Sequence, residues 1–279
     1  MSITMITVKT KDGADVKTKI FDTVGEAKGV VLISHGFGEY IDMYDPLISD
    51  LTSAGFVGVI FDQRGHGKDS KESKRQGVIP GYEYFMDDIE AVRAKIGELY
   101  PQMPVVLYGH SMGGNIVANY LISKNQNDFV GAVLETPWFR LYKPQPRIVE
   151  WLAKILGGIS GKFAIINKLR RHEVVRPLPD SSALTDFPYY HNRISFRLFA
   201  GITKAGEVAI ANADKITIPT LLICAEDDMV VCPDAIKEFG TNANTNMTVK
   251  IYDDAYHAIH ADLAATRYIP DLIEFLNNL

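Results

Sequence analysis

The stretch Val105-Val106-Leu107-Tyr108-Gly109-His110-Ser111-Met112-Gly113-Gly114-Asn115-Ile116-Val117-Ala118-Asn119-Tyr120-Leu121 decides the fold. Four apolar residues lead into G-x-S-x-G, and a helix-compatible run follows. Strand, sharp turn and helix form the setting of a nucleophile elbow. Side chains at Gly109 or Gly113 would collide where so tight a turn draws the backbone together. The turn pushes Ser111 toward a strained conformation and lifts its hydroxyl clear of the sheet edge. The Met112 N–H then opens a helix, whose positive end favours developing negative charge. In a chain with 22 glycines the motif also arises by chance. It therefore needs a base, an acid and an oxyanion partner in a workable order.

Working outward, further short apolar runs at 29–34, 57–62, 131–135, 220–224 and 248–252 suit strands buried on both faces. Helical patterns near 42–54, 83–99, 111–123, 234–240 and 261–278 lie between them. This alternation predicts an α/β fold, a mostly parallel doubly wound sheet. Residues 7–10 and 15–21 flank the turn signal Lys11-Asp12-Gly13 and predict an antiparallel N-terminal hairpin at one sheet edge. Residues 138–214 break the alternation, with helical stretches, a Pro-rich patch and no convincing strand. The expected organisation is a core domain of 1–137 and 215–279 carrying a helical cap inserted at 138–214. The mixed-charge run 68–75 reads as a solvated loop.

Size and composition narrow the function. The chain has 279 residues, 47% hydrophobic and 23% charged, ordinary for a globular protein. A net charge of −5 offers no footprint for nucleic acid. No apolar run approaches the roughly 18 residues of a spanning helix. The N-terminus lacks the basic and apolar regions of a signal peptide, so the expected location is cytoplasmic. Two cysteines, Cys224 and Cys232, are too few for a disulfide framework and read as free thiols.

Open α/β sheets bind ligands at the carboxyl ends of their strands. Polar motifs fall there in succession: Ser34-His35-Gly36-Phe37-Gly38-Glu39, Asp62-Gln63-Arg64-Gly65-His66-Gly67, the Ser111 elbow, Cys224-Ala225-Glu226-Asp227-Asp228 and Asp253-Asp254-Ala255-Tyr256-His257. In chain order they supply Ser111, an acid near 228 and His257, the order of the α/β-hydrolases. A serine hydroxyl needs a base to take its proton, and a neutral histidine suits that task. A carboxylate holds the imidazole tautomer and stabilises its charged form. Asp228 is the expected acid, with Asp227 as the alternative. The oxyanion hole is expected from the backbone N–H groups of Met112 and Phe37. His35 and His110 read as structural hydrogen-bonders, and His66 as a turn residue. A metal cluster of His257, His260 and Asp262 is set aside because His257 has a better role. No metal and no cofactor is expected.

On the strings HGFGE (35–39), DQRGHG (62–67), GHSMGG (109–114) and IYDDAYHAIHADL (251–263), the chain resembles the monoacylglycerol lipase and lysophospholipase group of serine α/β-hydrolases. The resemblance implies that Ser111, Asp228 and His257 form the triad and that Phe37 and Met112 supply the oxyanion amides. It also implies that a cap between the sixth and seventh strands covers an apolar acyl pocket. The chain departs from the family pattern at Asp69, Ala225 and Tyr40, and Phe37 is larger than the usual small residue. The expected function is hydrolysis of lipid-like carboxylic esters, monoacylglycerols or lysophospholipids, through an acyl-enzyme on Ser111. Trp138, Phe139, Leu141, Trp151, Leu152, Ile155 and Leu156 motivate the lipid-like acyl group, with Trp138, Phe139, Leu152 and Leu156 as substrate-binding candidates. A simpler reading is that cap helices need a core of their own. One cap helix could touch membranes transiently. The same triad also suits a short-chain carboxylesterase, a thioesterase or a peptidase. A non-catalytic hydrolase-like binding module stands against the presence of all three triad residues.

Overall fold

Successive residues of the central strands belong to two different cores. Val30 and Leu32 pack with Val57, Val59, Val105 and Leu107 on one face of the sheet. Val31 and Ile33 pack with Ile60, Val106, Tyr108 and Val133 on the other. That is the period-two alternation of a strand with an apolar layer on each side. Each such Val, Leu or Ile contributes about 1.5–3 kcal/mol on burial. The computed structural model describes residues 2–144, 164–166, 171–176 and 187–279.

The main sheet holds β1 (Ile3–Lys9), β2 (Asp15–Phe21), β3 (Gly29–Ser34), β4 (Phe56–Phe61), β5 (Val105–His110), β6 (Gly131–Glu135), β9 (Thr220–Ala225) and β10 (Met247–Tyr252). Their order is β1-β2-β4-β3-β5-β6-β9-β10. β1 and β2 form the antiparallel N-terminal hairpin, β2 runs antiparallel to β4, and the remaining neighbours are parallel. This is an α/β-hydrolase fold with a mostly parallel sheet.

Helices α1 (Asp45–Ser53) and α8 (Ala265–Asn277) cover one face through Leu47, Ile48, Leu51, Tyr268, Leu272 and Leu276. The other face carries α3 (Glu83–Leu99), α4 (Met112–Ser123), α6 (Phe196–Ala211) and α7 (Pro233–Asn242). The short α2 (Gly67–Glu72) replaces the loop expected from the charge run at 68–75. Its charges at Lys68, Asp69, Lys71 and Glu72 are exposed, while Ser70 turns inward and its Oγ donates to the Gly67 carbonyl at 2.9 Å.

The expectation that 138–214 holds no strand is corrected. β7 (Ala164–Ile166) and β8 (Arg193–Ser195) pair antiparallel as a separate two-stranded sheet. Three residues per strand are too few to show a period in sequence. α5 (Arg171–Val174) lies between them. α6 begins at an N-cap where Ser195 Oγ accepts from the Leu198 N–H at 3.2 Å. It lies against α4, where Asn115 donates to the Ile202 carbonyl at 3.3 Å and Asn119 to the Ala205 carbonyl at 3.1 Å. Leu198, Ile202, Ala209 and Ile210 thereby join the core of the sheet.

Candidate active site

The elbow follows from backbone crowding. β5 ends at His110, and Ser111 sits at φ 53°, ψ −115°, before α4 starts at Met112. A non-glycine residue at positive φ is held there only by its surroundings. The Ser111 N–H donates to the Glu135 carbonyl at 3.0 Å, and the Ser111 carbonyl accepts from Asn115 and Trp138 at 3.0 and 2.9 Å. A Cβ on Gly109 would meet the Gly113 carbonyl at 2.5 Å. A Cβ on Gly113 would drive into the Ser34 carbonyl at the end of β3. Both glycines are therefore required, the second by the neighbouring strand.

Two loops converge on Ser111. His257 Nε2 lies 2.8 Å from Ser111 Oγ, and its Nδ1 lies 2.7 Å from Asp228 Oδ2. Asp228 leaves β9, and His257 follows β10, so parallel neighbours deliver both groups to the same edge. Asp228 Oδ1 accepts from the Val230 and Val231 N–H groups at 2.7 and 2.9 Å, which aims Oδ2 at the imidazole. Asp228 and His257 are buried. Asp227 is exposed and Glu226 pairs with Lys237 at 2.7 Å, so neither faces His257. Ser111, His257 and Asp228 form a continuous relay in which the carboxylate fixes the donor tautomer at Nδ1.

The two expected oxyanion amides belong to the first residue of α4 and to the loop after β3. Met112 is the first residue of α4, so its N–H has no acceptor within the helix. Phe37 follows Gly36, whose own N–H is taken by Glu39 Oε2 at 2.7 Å and Tyr44 Oη at 3.1 Å. The Phe37 ring is wedged edge-on among His66, His191 and Trp138, with centroids 5.9, 5.8 and 6.1 Å away. That packing fixes the position of the Phe37 ring.

The substrate-binding candidates separate. Trp138 lies beside Phe37 at the site. Phe139 stacks on Phe239 at 4.4 Å and belongs to the core, the simpler reading of the apolar cap residues. Leu141 bridges to Val231. Trp151, Leu152, Ile155 and Leu156 lie outside the described residues.

Sequence reading missed the buried network behind His257. Glu135, at the end of β6, accepts from the His260 N–H and Nδ1 and from Tyr108 Oη. Burial pushes Glu135 up, but the His260 imidazolium and its hydrogen bond outweigh it and hold the carboxyl below its ordinary range. Burial pushes His260 down, and Glu135 reverses this, leaving its pKa raised. Burial holds His110 well below the usual histidine range, so it stays neutral. The His110 ring lies 4.9 Å from that of His257. Thr136 Oγ1 donates to the His257 carbonyl at 2.8 Å. A charged residue closing an apolar strand was the available signal for Glu135.

The grouping of His257, His260 and Asp262 does not form. His257 joins the relay, His260 binds Glu135, and Asp262 binds Arg176. Among the described residues, the metal-type donors that converge are His110, Glu135 and His260, within 4.8 Å. Hydrogen bonds already occupy the Glu135 carboxylate there. A cavity of 530 Å³ lies behind the Asp62–Gly67 loop, lined by Asp62, Arg64, His66, Asp69, Arg75 and Arg197 among others, and no triad residue borders it.

Residues 25–264 match the family model described as serine aminopeptidase, S33. A putative monoglyceride lipase of Schizosaccharomyces pombe is 28% identical over 99% of this chain and 70% of its own length. The human monoglyceride lipase is 27% identical over 90% of this chain and 82% of its own. The crystal structure of the Paleococcus ferrophilus monoacylglycerol lipase superposes with a TM-score of 0.82 at 27% identity, covering 94% of this chain and 98% of that one. With its relay geometry and this match along most of its length, the chain belongs to the serine aminopeptidase S33 family and is a serine hydrolase of the carboxylic ester type, similar to monoglyceride lipases.

Proposed function

We propose that the protein hydrolyses monoacylglycerols, or lysophospholipids of like shape, to a fatty acid and an alcohol. The observation that carries the reading is the Ser111–His257–Asp228 relay, with contacts of 2.8 and 2.7 Å. His257 takes the Ser111 proton as Oγ attacks the ester carbonyl. The Met112 and Phe37 N–H groups hold the oxyanion, at a helix N-terminus and a packed loop. His257 then protonates the leaving alcohol and activates water to release the acid, regenerating Ser111. Neither step needs a metal or cofactor. The relatives' names support a monoacylglycerol substrate.

A short-chain carboxylesterase is the second reading. Phe37 is larger than the small residue usual at this position, which favours small acyl groups. Residues 138–214 are proposed as the cap, with α6 as its core-facing part. Transient membrane contact through the cap and a cytoplasmic location belong to the same proposal. No helix among the described residues is long and apolar enough to cross a membrane.

The test is hydrolysis of an acyl-chain series, from acetyl esters to long-chain monoacylglycerols, by wild type and Ser111→Ala. Activity that rises with chain length and vanishes in Ser111→Ala supports the monoacylglycerol reading. Activity confined to short chains selects the carboxylesterase. Activity surviving in Ser111→Ala overturns both.

A further inference from the structure

The loop carrying His257 is held from two sides. On the core side, Thr136 Oγ1 binds the His257 carbonyl and Glu135 binds His260. On the other side stands Arg176, contributed from the region between β6 and β9, while Arg267 of α8 binds only Asp253 at the start of the loop. The Arg176 guanidinium donates to both Asp254 and Asp262. Asp254 lies three residues before His257 and Asp262 five residues after it.

The contacts are unusually complete. Arg176 Nε lies 3.1 Å from Asp262 Oδ1, Nη2 lies 2.5 Å from the same oxygen, and the Arg176 backbone N–H donates to Asp262 Oδ2 at 3.0 Å. Nη1 binds the Asp254 carboxylate, and Nη2 also reaches the Asp254 carbonyl at 2.6 Å. The guanidinium carbon lies 5.6 Å from the Tyr256 ring, beside His257 in sequence. Two residues earlier, the Val174 carbonyl accepts from the Ala258 N–H at 2.9 Å. Asp254 itself is at φ 52°, a left-handed conformation that needs external support.

We propose that Arg176 is a positioning residue for the proposed base, tying both flanks of the His257 loop to the inserted segment so that His257 Nε2 stays aimed at Ser111. A planar five-donor fork can span two carboxylates and a carbonyl, whereas a lysine ammonium is a single point charge. The described residues 171–176 then do more than link β7 to β8, because displacing them releases the loop that carries His257. The inference rests on the serine hydrolase reading.

The test is Arg176→Ala assayed on 4-nitrophenyl butyrate, well below the unfolding temperature of wild type and variant. Misplacing the base should lower kcat by about 10- to 100-fold, with KM changed by less than about threefold. Guanidinium ion at millimolar concentration should restore part of kcat, where sodium at equal ionic strength does not. A wild-type kcat with only a lowered melting temperature would show that the ion pairs merely stabilise the fold, and would overturn the proposal. If Arg176→Ala fails to fold, Asp254→Asn removes the charge of one arm and leaves the Asp262 fork and the Asp254 carbonyl contact. It should lower kcat in the same direction by less, and an unchanged kcat there also overturns the proposal. Labelling by a fluorophosphonate separates this from the parent reading. Equal labelling of wild type and Ser111→Ala defeats the serine mechanism. Labelling of Arg176→Ala at the wild-type rate, with none in Ser111→Ala, defeats the positioning role alone.

Discussion

His260 donates both its backbone N–H and its ring Nδ1–H to the buried Glu135 carboxylate, at 3.0 and 2.9 Å. This fastens the loop after β10 to the end of β6, next to the strand that carries the elbow. Replacing Glu135 by Gln removes the charge partner of a buried imidazolium. The expected loss is about 2 kcal/mol, because His260 can shed its proton rather than stay charged and unpaired. The pH window follows from the shifts. His260 is raised above 6.5, so its contribution is full below that value and fades as pH climbs through the folded value. Glu135 is lowered below 4.5, so its contribution is full above that value and fades as pH falls through the folded value. Urea unfolding should give the largest gap between wild type and Glu135→Gln between pH 4.5 and 6.5.

Asp228 and Asp227 are neighbours with opposite fates. An Asn at 228 would keep its oxygen on the Val230 and Val231 N–H groups and turn its NH₂ toward His257 Nδ1. That forces the wrong imidazole tautomer and should lower kcat on the order of 10⁴-fold. Asp227→Asn, at an exposed position, should stay within about twofold of wild type. Steady-state kinetics on one activated ester decides the pair, and a large loss at 227 would reassign the acid.

Burial holds His35 and His191 down at about 4, and burial with neighbouring histidines holds His66 well below its usual value. Their rings touch, with His66 centroids 5.3 Å from His35 and 4.8 Å from His191. The unfolded chain binds protons below pH 6.5 that these three folded histidines refuse, so unfolding takes up protons. Stability should fall from pH 6.5 toward 4, these three contributing on the order of 4 kcal/mol per pH unit at the steepest and His110 adding in the same direction. His191→Gln should reduce that slope by about one proton. A flat stability profile between these limits would contradict neutral burial.

Gly113→Ala should lose the fold before it loses any chemistry. Its methyl would enter the space of the Ser34 carbonyl, a backbone atom that cannot rotate away. The expected cost is about 3 kcal/mol or more. Circular dichroism melts would measure it, and a wild-type melting curve would show that the elbow has slack.

Much of this protein was legible in its chain. Short apolar runs located six of the eight main-sheet strands, and the turn signal at 11–13 located the N-terminal hairpin. Burial on both faces leaves that continuous apolar signal in the central strands β3 to β6 and β9. The elbow and the two other relay loops were legible because each follows a strand on the binding edge of the sheet. Glu135, Thr136 and Arg176 were not. Their partners lie 121 to 125 residues away for His257 and His260, and 78 to 86 for Asp254 and Asp262, and no local period reports such contacts. The β7–β8 pair escaped for the opposite reason, its three-residue strands being too short to carry a pattern.

What the amino-acid order determined is the class of sheet, the strained serine turn and the set of groups delivered to one edge. Hydrophobic periodicity and glycine sterics act over a few residues and are written locally. The chain favoured Asp228 over Asp227, but the hydrogen bonds that aim Asp228 at His257, the core place of Phe139 and the grip on the His257 loop came from the tertiary structure. Each depends on which side chain reaches a partner through close-packed interior, and only the assembled fold sets those distances.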